Sequence, residues 1–418
     1  MKLTNEKIDK RRWVSLVLLM LIGSALSFTY VLSVFVNPLI ADRGWQADDI
    51  IFTFTLAMWV GTPSIIVGGK LTEIFKPRRL IIICGFLYGI AIVLSGFTTS
   101  VLVFMLCQGV FASAFLFFAN VAAMQNVGEL FPDKRGFSMG LFLAGMTGGA
   151  ALQAPLAVWI TQNYSVTASI VIQGILYALI TVVCGLFIFN VPKDYQPKGW
   201  NPEAVEENEN TSEKGIDTHW KDMLKAPSFY MLLLALTLCN IAGAMFISNG
   251  AYIAEELLGT TAAKAAWMFT GVNIGCALGS IVYGWISDKI GSIYCLAIVG
   301  VLNGIFAILA ATVGINSLPV FAISIIILGS NYGGLTTVQP VIAMNTYGAT
   351  HFGINYGLLG ISAIFVSYIA PKLSVMENVG AGIIIAGVIA FAGCISAVLA
   401  KKMVNRFVAK YRDVNAVK

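Results

Sequence analysis

Two carboxylates stand where long apolar runs end, each beside basic residues. Glu73 lies in the phrase GGKLTEIFKPRR and Asp288 in YGWISDKIG. A carboxylate at the end of a membrane helix can pair with a nearby Arg and with the positive N-terminus of a neighbouring helix. Such contacts could form and break as a protein changes conformation; the alternative is that these charges only set topology. The candidate gating residues are Glu73, Arg78, Arg79, Asp133, Arg135 and Asp288.

Polar residues inside the apolar runs form a second set, able to donate hydrogen bonds to a solute. Polar side chains at membrane depth often face a bundle interior or a pathway. Ser, Thr and Asn also bond one helix to another, so for each residue alone the packing interpretation stays open. The candidate substrate-binding residues are Thr29, Tyr30, Asn120, Asn273, Ser280, Tyr332 and Ser362.

Catalytic and metal chemistry find little support. The chain has two histidines, His219 and His351, far apart in sequence, and seven cysteines with no CxxC spacing. Cysteines inside apolar runs are usually small packing residues. We find no nucleophile–base pair, and we expect no enzyme activity, no metal site and no cofactor.

The composition places these residues in a bilayer. Of 418 residues, 58% are hydrophobic and 11% charged, against about 25% charged in soluble domains. A spanning helix needs about 20 apolar residues. The fold class is an all-α membrane protein, because a barrel would need short alternating strands. Twelve spans are predicted near residues 13–40, 50–75, 80–99, 100–127, 137–161, 165–190, 228–252, 262–287, 292–313, 317–344, 352–371 and 379–400.

Basic residues are unequally divided between the two faces. With the N-terminus inside, the cytoplasmic face takes most of them, and the opposite face keeps Arg43, Lys264 and Lys372. This positive-inside asymmetry predicts a multi-pass protein of the cytoplasmic membrane with both termini cytoplasmic. It accounts for the net charge of +5 without a nucleic-acid partner. The expected partners are the lipid bilayer and a small-molecule solute, and we expect a monomer.

The chain divides into two six-helix halves, residues 1–190 and 226–418, around a hydrophilic cytoplasmic linker at 191–225. The linker is too polar to fold alone, although its end, WKDMLKAPSF, predicts a short interfacial helix. Matching phrases recur in both halves: Gly284 lies 215 positions after Gly69, and Pro371 lies 216 after Pro155. This spacing indicates a parallel repeat, with the halves in a pseudo-twofold arrangement.

The repeated phrases resemble the cytoplasmic signature of the major facilitator superfamily, Gly-x-Leu-x-Asp-Arg-x-Gly-x-Arg-Arg. Here Gly69, Leu71, Arg78 and Arg79 match, and Glu73 replaces the Asp. The resemblance implies the major facilitator fold and transport by alternating access.

A narrower resemblance, to the oxalate/formate antiporter family and its monocarboxylate-transporting relatives, rests on five phrases in order. They are TYVLSVFVNPL, FKPRR, LFPDKRGFSMGLFLAGMTGGA, MLKAPSFYMLL and YGATHFGINYG. The resemblance implies exchange or import of small carboxylates, and it favours Tyr30, Asn273, Ser280 and Tyr332 as residues on helices that line the cavity.

The chain departs from that family at two cationic positions. Ser280 stands where an Arg of the eighth helix is usual, and Ala363 stands near the position of a Lys in the eleventh. A dehydrated dicarboxylate needs paired cations or many donors, so an oxalate-like dianion is disfavoured. A monocarboxylate, held by neutral donors or carried with a proton, stays compatible.

The function expected is therefore secondary transport of a small organic solute, a monocarboxylate or related metabolite, with coupling to a proton or a counter-substrate left open. The alternative is uptake or efflux of a neutral or bulky amphipathic solute. A non-transporting solute sensor is a weaker third interpretation. Substrate identity, direction, and the choice among uniport, symport and exchange do not follow from the sequence.

Overall fold

A computed structural model describes residues 5–192, 195–198, 216–260 and 262–416. Within these ranges the chain is helical and has no strand. It divides into two compact units: Met1–Asp133 with Phe142–Trp200, and Lys134–Leu141 with Asn201–Lys418. Most of the predicted linker, residues 193–194 and 199–215, lies outside the described residues.

Unit 1 contains the first six spans. Span 5 begins in the Lys134–Leu141 segment of unit 2 and continues in unit 1. The observed bounds are Asn5–Ala25, Phe28–Phe35 and Val36–Arg43 for the three pieces of span 1, then Ala47–Phe75 (span 2), Pro77–Phe97 (span 3), Val101–Leu130 (span 4), Arg135–Asn163 (span 5) and Val166–Phe187 (span 6).

Unit 2 contains six further spans, preceded by the short helix Trp220–Lys225 that the sequence predicts. Its buried core includes Phe246, Phe321 and Ile383. The bounds are Pro227–Leu258 (span 7), Ala262–Ile290 (span 8), Ser292–Ala311 (span 9), Leu318–Tyr347 (span 10), Phe352–Ser374 (span 11) and Val379–Ala416 (span 12). Across the described residues, ten helices are long and apolar enough to cross a membrane; the other two spans are 1 and 8. The twelve-helix, all-α prediction is confirmed.

The first span of each unit is interrupted, which the apolar runs do not reveal. Span 1 stops at Ala25 and resumes as a 3₁₀-helix at Phe28. Span 7 has a non-helical residue, Asn249, with φ −133° and ψ 21°; its side-chain amide donates to the Ser374 hydroxyl of span 11 at 2.8 Å. Span 1 covers the apolar run predicted near residues 13–40, but as three helical pieces and not as one continuous helix.

The connection between spans 2 and 3 is one residue long. Lys76 ends span 2 and precedes Pro77, the first residue of span 3, and it has φ +64° and ψ 146°. A side chain is strained at these angles, which glycine adopts readily. Lys76 occupies the second Gly of the signature described above, so the backbone keeps the turn although the glycine is absent.

Candidate functional site

The carboxylate of Asp288, at the end of span 8, caps the beginning of span 5 within unit 2. Its two oxygens accept the backbone N–H groups of Gly136 at 2.6 Å and Phe137 at 2.8 Å. These amides have no partner inside their own helix, and a negative charge is favoured there by the helix dipole. The carboxylate therefore makes the kind of contact proposed from the sequence.

Glycines allow span 5 to approach span 8 this closely. A Cβ on Gly136 would lie 2.2 Å from the Gly284 carbonyl oxygen, and one on Gly140 would lie 2.2 Å from the Ser280 carbonyl oxygen. Arg135 adds a side-chain bond, donating from Nη1 to Asn345 Oδ1 of span 10 at 2.9 Å. The first two turns of span 5 are thus fixed to unit 2 by backbone, carboxylate and guanidinium contacts.

The remaining candidate gating residues have separate partners in unit 1. Asp133 pairs with Arg12 of span 1 at 2.8 Å. Glu73 lies 3.5 Å from Lys70 of its own helix. Arg78 donates to the carbonyl oxygens of Gly185 and Leu186, at 3.2 and 2.5 Å, and so caps the end of span 6. Arg79 is exposed.

A polar cluster in unit 1 surrounds the break in span 1. Gln153 of span 5 directs its side-chain N–H groups to the Ser24 carbonyl oxygen and to the Ser27 hydroxyl, the latter at 3.1 Å. The Tyr88 hydroxyl of span 3 donates to the Leu26 carbonyl oxygen at 3.1 Å. An unbroken helix would give both carbonyls to its own amides. At the break, the Ser24 carbonyl oxygen still accepts the Ser27 backbone N–H at 3.2 Å and the Ser27 hydroxyl at 2.6 Å. The donors from Gln153 and Tyr88 add further hydrogen bonds to the carbonyl oxygens around the break.

Two buried polar atoms have no hydrogen-bond partner among the described residues: the side-chain oxygen of Gln153 and the hydroxyl of Thr29, which follows the break in sequence. Thr29 is 4% exposed and Gln153 is 5% exposed. A buried polar atom without a partner costs about 1–3 kcal/mol, so these atoms are suited to receive a ligand group or a water molecule. Gln153 was missed in the sequence; its signal is the i, i+4, i+8 series Gly145, Gly149, Gln153.

Those two glycines bring span 5 against span 1 below the break. A Cβ on Gly145 would lie 2.9 Å from the Met20 Cβ, and one on Gly149 would lie 2.5 Å from the Ser24 Cα. Close helix approach through small residues is the usual packing mode in membranes. It brings Gln153 within reach of the span 1 backbone.

The other candidates in unit 1 lie apart from this cluster or outside the described side chains. Asn120 of span 4 is buried, and its amide approaches the Met146 sulfur of span 5 at 3.3 Å. The side chain of Tyr30 lies outside the part of the structure that is described, although its backbone belongs to the 3₁₀-helix.

Ser280 lies in a helix–helix contact of unit 2. It is 1% exposed, and its hydroxyl is 3.1 Å from both the Cys276 carbonyl oxygen of its own helix and the Gly333 carbonyl oxygen of span 10. This is the packing role that the sequence left open. Its place on a solute pathway stays a prediction, and the hydroxyl already has acceptors.

The other unit 2 candidates differ in exposure. Ser362 is buried, Tyr332 is half-buried beside Gly243 of span 7, and Asn273 is exposed.

A separate buried chain of hydrogen-bonded polar residues, which the sequence does not reveal as a set, joins spans 7 to 10. Tyr283 donates to Asn331, whose amide donates to Asn303 at 2.8 Å, and Asn303 donates to the Cys239 carbonyl oxygen at 2.7 Å. These successive hydrogen bonds connect the four helices, which is typical of a structural role.

The described residues include no cluster of three or more His, Cys, Asp or Glu that could hold a metal ion. His219 and His351, distant in sequence, have ring centroids 5.0 Å apart at the entrance to span 11. What the described geometry offers is hydrogen bonding at a helix break and a charged cap at a helix end. Both suit binding and conformational change.

Comparison with known proteins gives a consistent result. The profile of the Major Facilitator Superfamily matches residues 17–250. The chain is 26% identical over 363 residues to the uncharacterised MFS-type transporter YhjX of Escherichia coli, covering 85% of this chain and 86% of that protein. It is 25% identical over 371 residues to the oxalate:formate antiporter of Oxalobacter formigenes, covering 85% and 83%.

More distant matches agree. Monocarboxylate transporter 13 of Rattus norvegicus is 23% identical over 339 residues, covering 78% of this chain and 74% of the transporter. Among solved structures, the proton:xylose symporter XylE superposes with a TM-score of 0.73 at 16% identity, covering 95% of this chain and 96% of the symporter. The E. coli fucose:proton symporter FucP gives 0.64 at 14% identity, covering 93% and 99%.

Proposed function

The chain belongs to the major facilitator superfamily, and from this premise we propose that it carries a small monocarboxylate or related metabolite across the cytoplasmic membrane by alternating access. It is a multi-pass membrane transporter; its relatives and structural neighbours are transporters, not enzymes. We further propose that it acts as a monomer and that both termini are cytoplasmic. We also propose that it consists of two halves, residues 1–190 and 226–418, which are joined by a linker at 191–225.

The observation that carries the proposal is the break in span 1. Thr29 can donate one hydrogen bond and Gln153 can accept one, and neither atom has a described partner. A monocarboxylic acid carried with its proton offers both complements, a carbonyl oxygen for Thr29 and an O–H for Gln153. Neutral groups bind such an acid without the cost of a buried, unpaired charge.

The same chemistry argues against a dianion. A carboxylate fork is best met by a bidentate Arg, and Ser280 and Ala363 stand at the positions where the resemblance to the oxalate/formate antiporter family implies cations. The Ser280 hydroxyl already lies against two backbone carbonyls. We therefore propose that oxalate is not carried, although one relative is an oxalate:formate antiporter.

The alternative function is transport of a neutral or amphipathic solute, which would use the same uncharged polar groups. The following experiment distinguishes it from monocarboxylate transport. Purified protein is screened by thermal shift against monocarboxylates, oxalate, sugars and aromatic solutes, because a ligand of the folded state raises the melting temperature. Each ligand found is then tested for uptake into proteoliposomes at two external pH values. Monocarboxylate uptake that rises at low external pH supports the proposal. Binding and uptake of neutral solutes alone would establish the alternative.

The residues are tested in the same assay. Thr29→Val removes one unpartnered atom and should weaken ligand binding by roughly fivefold, about 1 kcal/mol. Gln153→Leu removes the other together with the amide bonds to Ser24 and Ser27, so it should weaken binding at least as much. Thr147→Val is the matched control, since that hydroxyl bonds to the Leu143 carbonyl oxygen within span 5. Equal affinities in all three variants would place the solute elsewhere. A sensor would bind the solute and show no uptake.

A further inference from the structure

A cavity of about 310 Å³ lies in unit 1 at the beginning of span 1. It is lined by Asp9, Lys10, Arg12, Trp13 and Lys198. The positive-inside rule assigns this end of span 1 to the cytoplasmic face. None of these residues belongs to the solute site proposed above.

The cavity is built by contacts between span 1 and the segment that follows span 6. Asp9 accepts the Tyr195 hydroxyl at 2.6 Å with one oxygen and the Lys198 backbone N–H at 3.0 Å with the other. Burial, followed by the bond to Asp9, raises the pKa of Tyr195, so the phenol stays a donor. These two bonds hold Lys198 beside span 1.

The lining carries an excess of positive charge. Three of the lining residues, Lys10, Arg12 and Lys198, are basic, and one, Asp9, is acidic; both oxygens of Asp9 accept hydrogen bonds. Arg12 is fixed in place because its guanidinium bonds to Asp133 at 2.8 Å and lies 5.0 Å from the Phe131 ring centre. Lys10 and Lys198 are exposed. The cavity is therefore suited to an anion that reaches it from the surface.

The surface beside the cavity is apolar and faces outward. Trp13 is 41% exposed, and Val14, Val17 and Leu21 continue an exposed apolar face along the same helix. Tryptophan at the end of a membrane helix sits at the level of the lipid headgroups. The cations thus lie where phosphate groups meet acyl chains, and an anion with an attached acyl chain fits better than a free ion.

We propose that this cavity binds the phosphate of an anionic phospholipid, with Lys10, Arg12 and Lys198 around the headgroup and the acyl chains along Trp13 and Val17. Basic pockets on the cytoplasmic side of membrane proteins are suited to such headgroups. The lipid would brace the junction between span 1 and the segment after span 6. This is a lipid site, separate from the transported solute.

The experiment measures lipid retention on the full-length detergent-purified protein by native mass spectrometry. The probes are phosphatidylglycerol, phosphatidylcholine and inorganic phosphate. We expect phosphatidylglycerol to be retained over phosphatidylcholine. The double variant Lys10→Gln with Lys198→Gln should weaken that retention by about thirtyfold, which corresponds to about 1 kcal/mol for each lysine. Lys225→Gln, which removes an exposed lysine of unit 2, is the matched control and should leave retention unchanged.

Additional variants and a competition with inorganic phosphate distinguish the possible results. If the double variant does not fold, the single variant Lys198→Gln is tested instead. Because the Lys198 side chain is exposed, this substitution should not prevent folding. Trp13→Ser should weaken retention of the lipid, because the lipid also uses the apolar face. Retention of both lipids to the same extent, or unchanged retention in the lysine variants, would overturn the proposal. So would inorganic phosphate that displaces the lipid at equal concentration, since the site would then be one for free phosphate. Because no step measures transport, the result is independent of the proposed function.

Discussion

The Asp288 carboxylate bonds simultaneously to the backbone amides of Gly136 and Phe137, at 2.6 and 2.8 Å. Asp288→Asn removes the negative charge that the helix end favours and should weaken this cap by about 1–2 kcal/mol. Hydrogen exchange followed by mass spectrometry should show about tenfold faster exchange in the peptide containing residues 136–137.

Asp222→Asn provides the control, since Asp222 is a half-exposed acid paired with Lys225 in the short helix before span 7. Cysteine accessibility should also show a larger inward-open population in Asp288→Asn. Unchanged exchange and accessibility together with normal transport would mean that Asp288 is a topology charge only.

The second prediction concerns the strained turn at Lys76. Lys76→Gly should stabilise the protein by about 1 kcal/mol, because relief of the positive-φ strain exceeds the entropy cost of the added glycine. Thermal unfolding in detergent measures the change. Lys76→Ala removes the same charge and keeps the Cβ, so it should leave stability nearly unchanged. If both variants change stability equally, the effect comes from the lysine side chain and the strain argument fails.

The third prediction uses two neighbouring glycines of span 5. Gly149→Ala should destabilise the protein by about 1–3 kcal/mol, because the new Cβ would lie 2.5 Å from the Ser24 Cα. Gly148→Ala meets nothing within 4 Å and should be neutral or slightly stabilising. Melting temperatures of the two variants, compared side by side, check the helix register directly. Equal values would mean that the approach of spans 1 and 5 is looser than described.

The fourth prediction separates packing from solute binding at Ser280. Ser280→Ala should cost about 0.5–1.5 kcal/mol of stability through the lost hydrogen bond, with solute affinity little changed. Ser280→Arg should fail to assemble, because the side chain is buried between spans 8 and 10 and the backbone of Gly140 lies against its carbonyl.

Ser367→Ala, which removes an exposed hydroxyl bonded within span 11, is the control for this pair. A well-folded Ser280→Arg variant with altered solute preference would restore the pathway interpretation made from the sequence. That outcome would also show that the helix contact around Ser280 can open.

The sequence predicts the twelve spans because long apolar runs report directly on membrane crossing. It also identifies Asp288 as an acid suited to a helix end, but not which helix it caps, since that depends on tertiary packing. The break in span 1 is not visible in the apolar run, and neither are the donors that satisfy its carbonyl oxygens, because Gln153 and Tyr88 are distant in sequence. The sequence likewise identifies Arg78 as a basic residue at a helix end, but not its bonds to the last turn of span 6, which depend on tertiary packing.

The glycines of span 5 restrict where a probe can be attached. Gly136 and Gly140 lie against backbone in unit 2, and Gly145 and Gly149 lie against span 1 in unit 1. A spin label or fluorophore at any of these four positions would push two helices apart. Its signal would then reflect the altered packing and not the native motion. Gly148 has open space around it, so a cysteine there provides the reporter position within this series for following the motion of span 5 during transport.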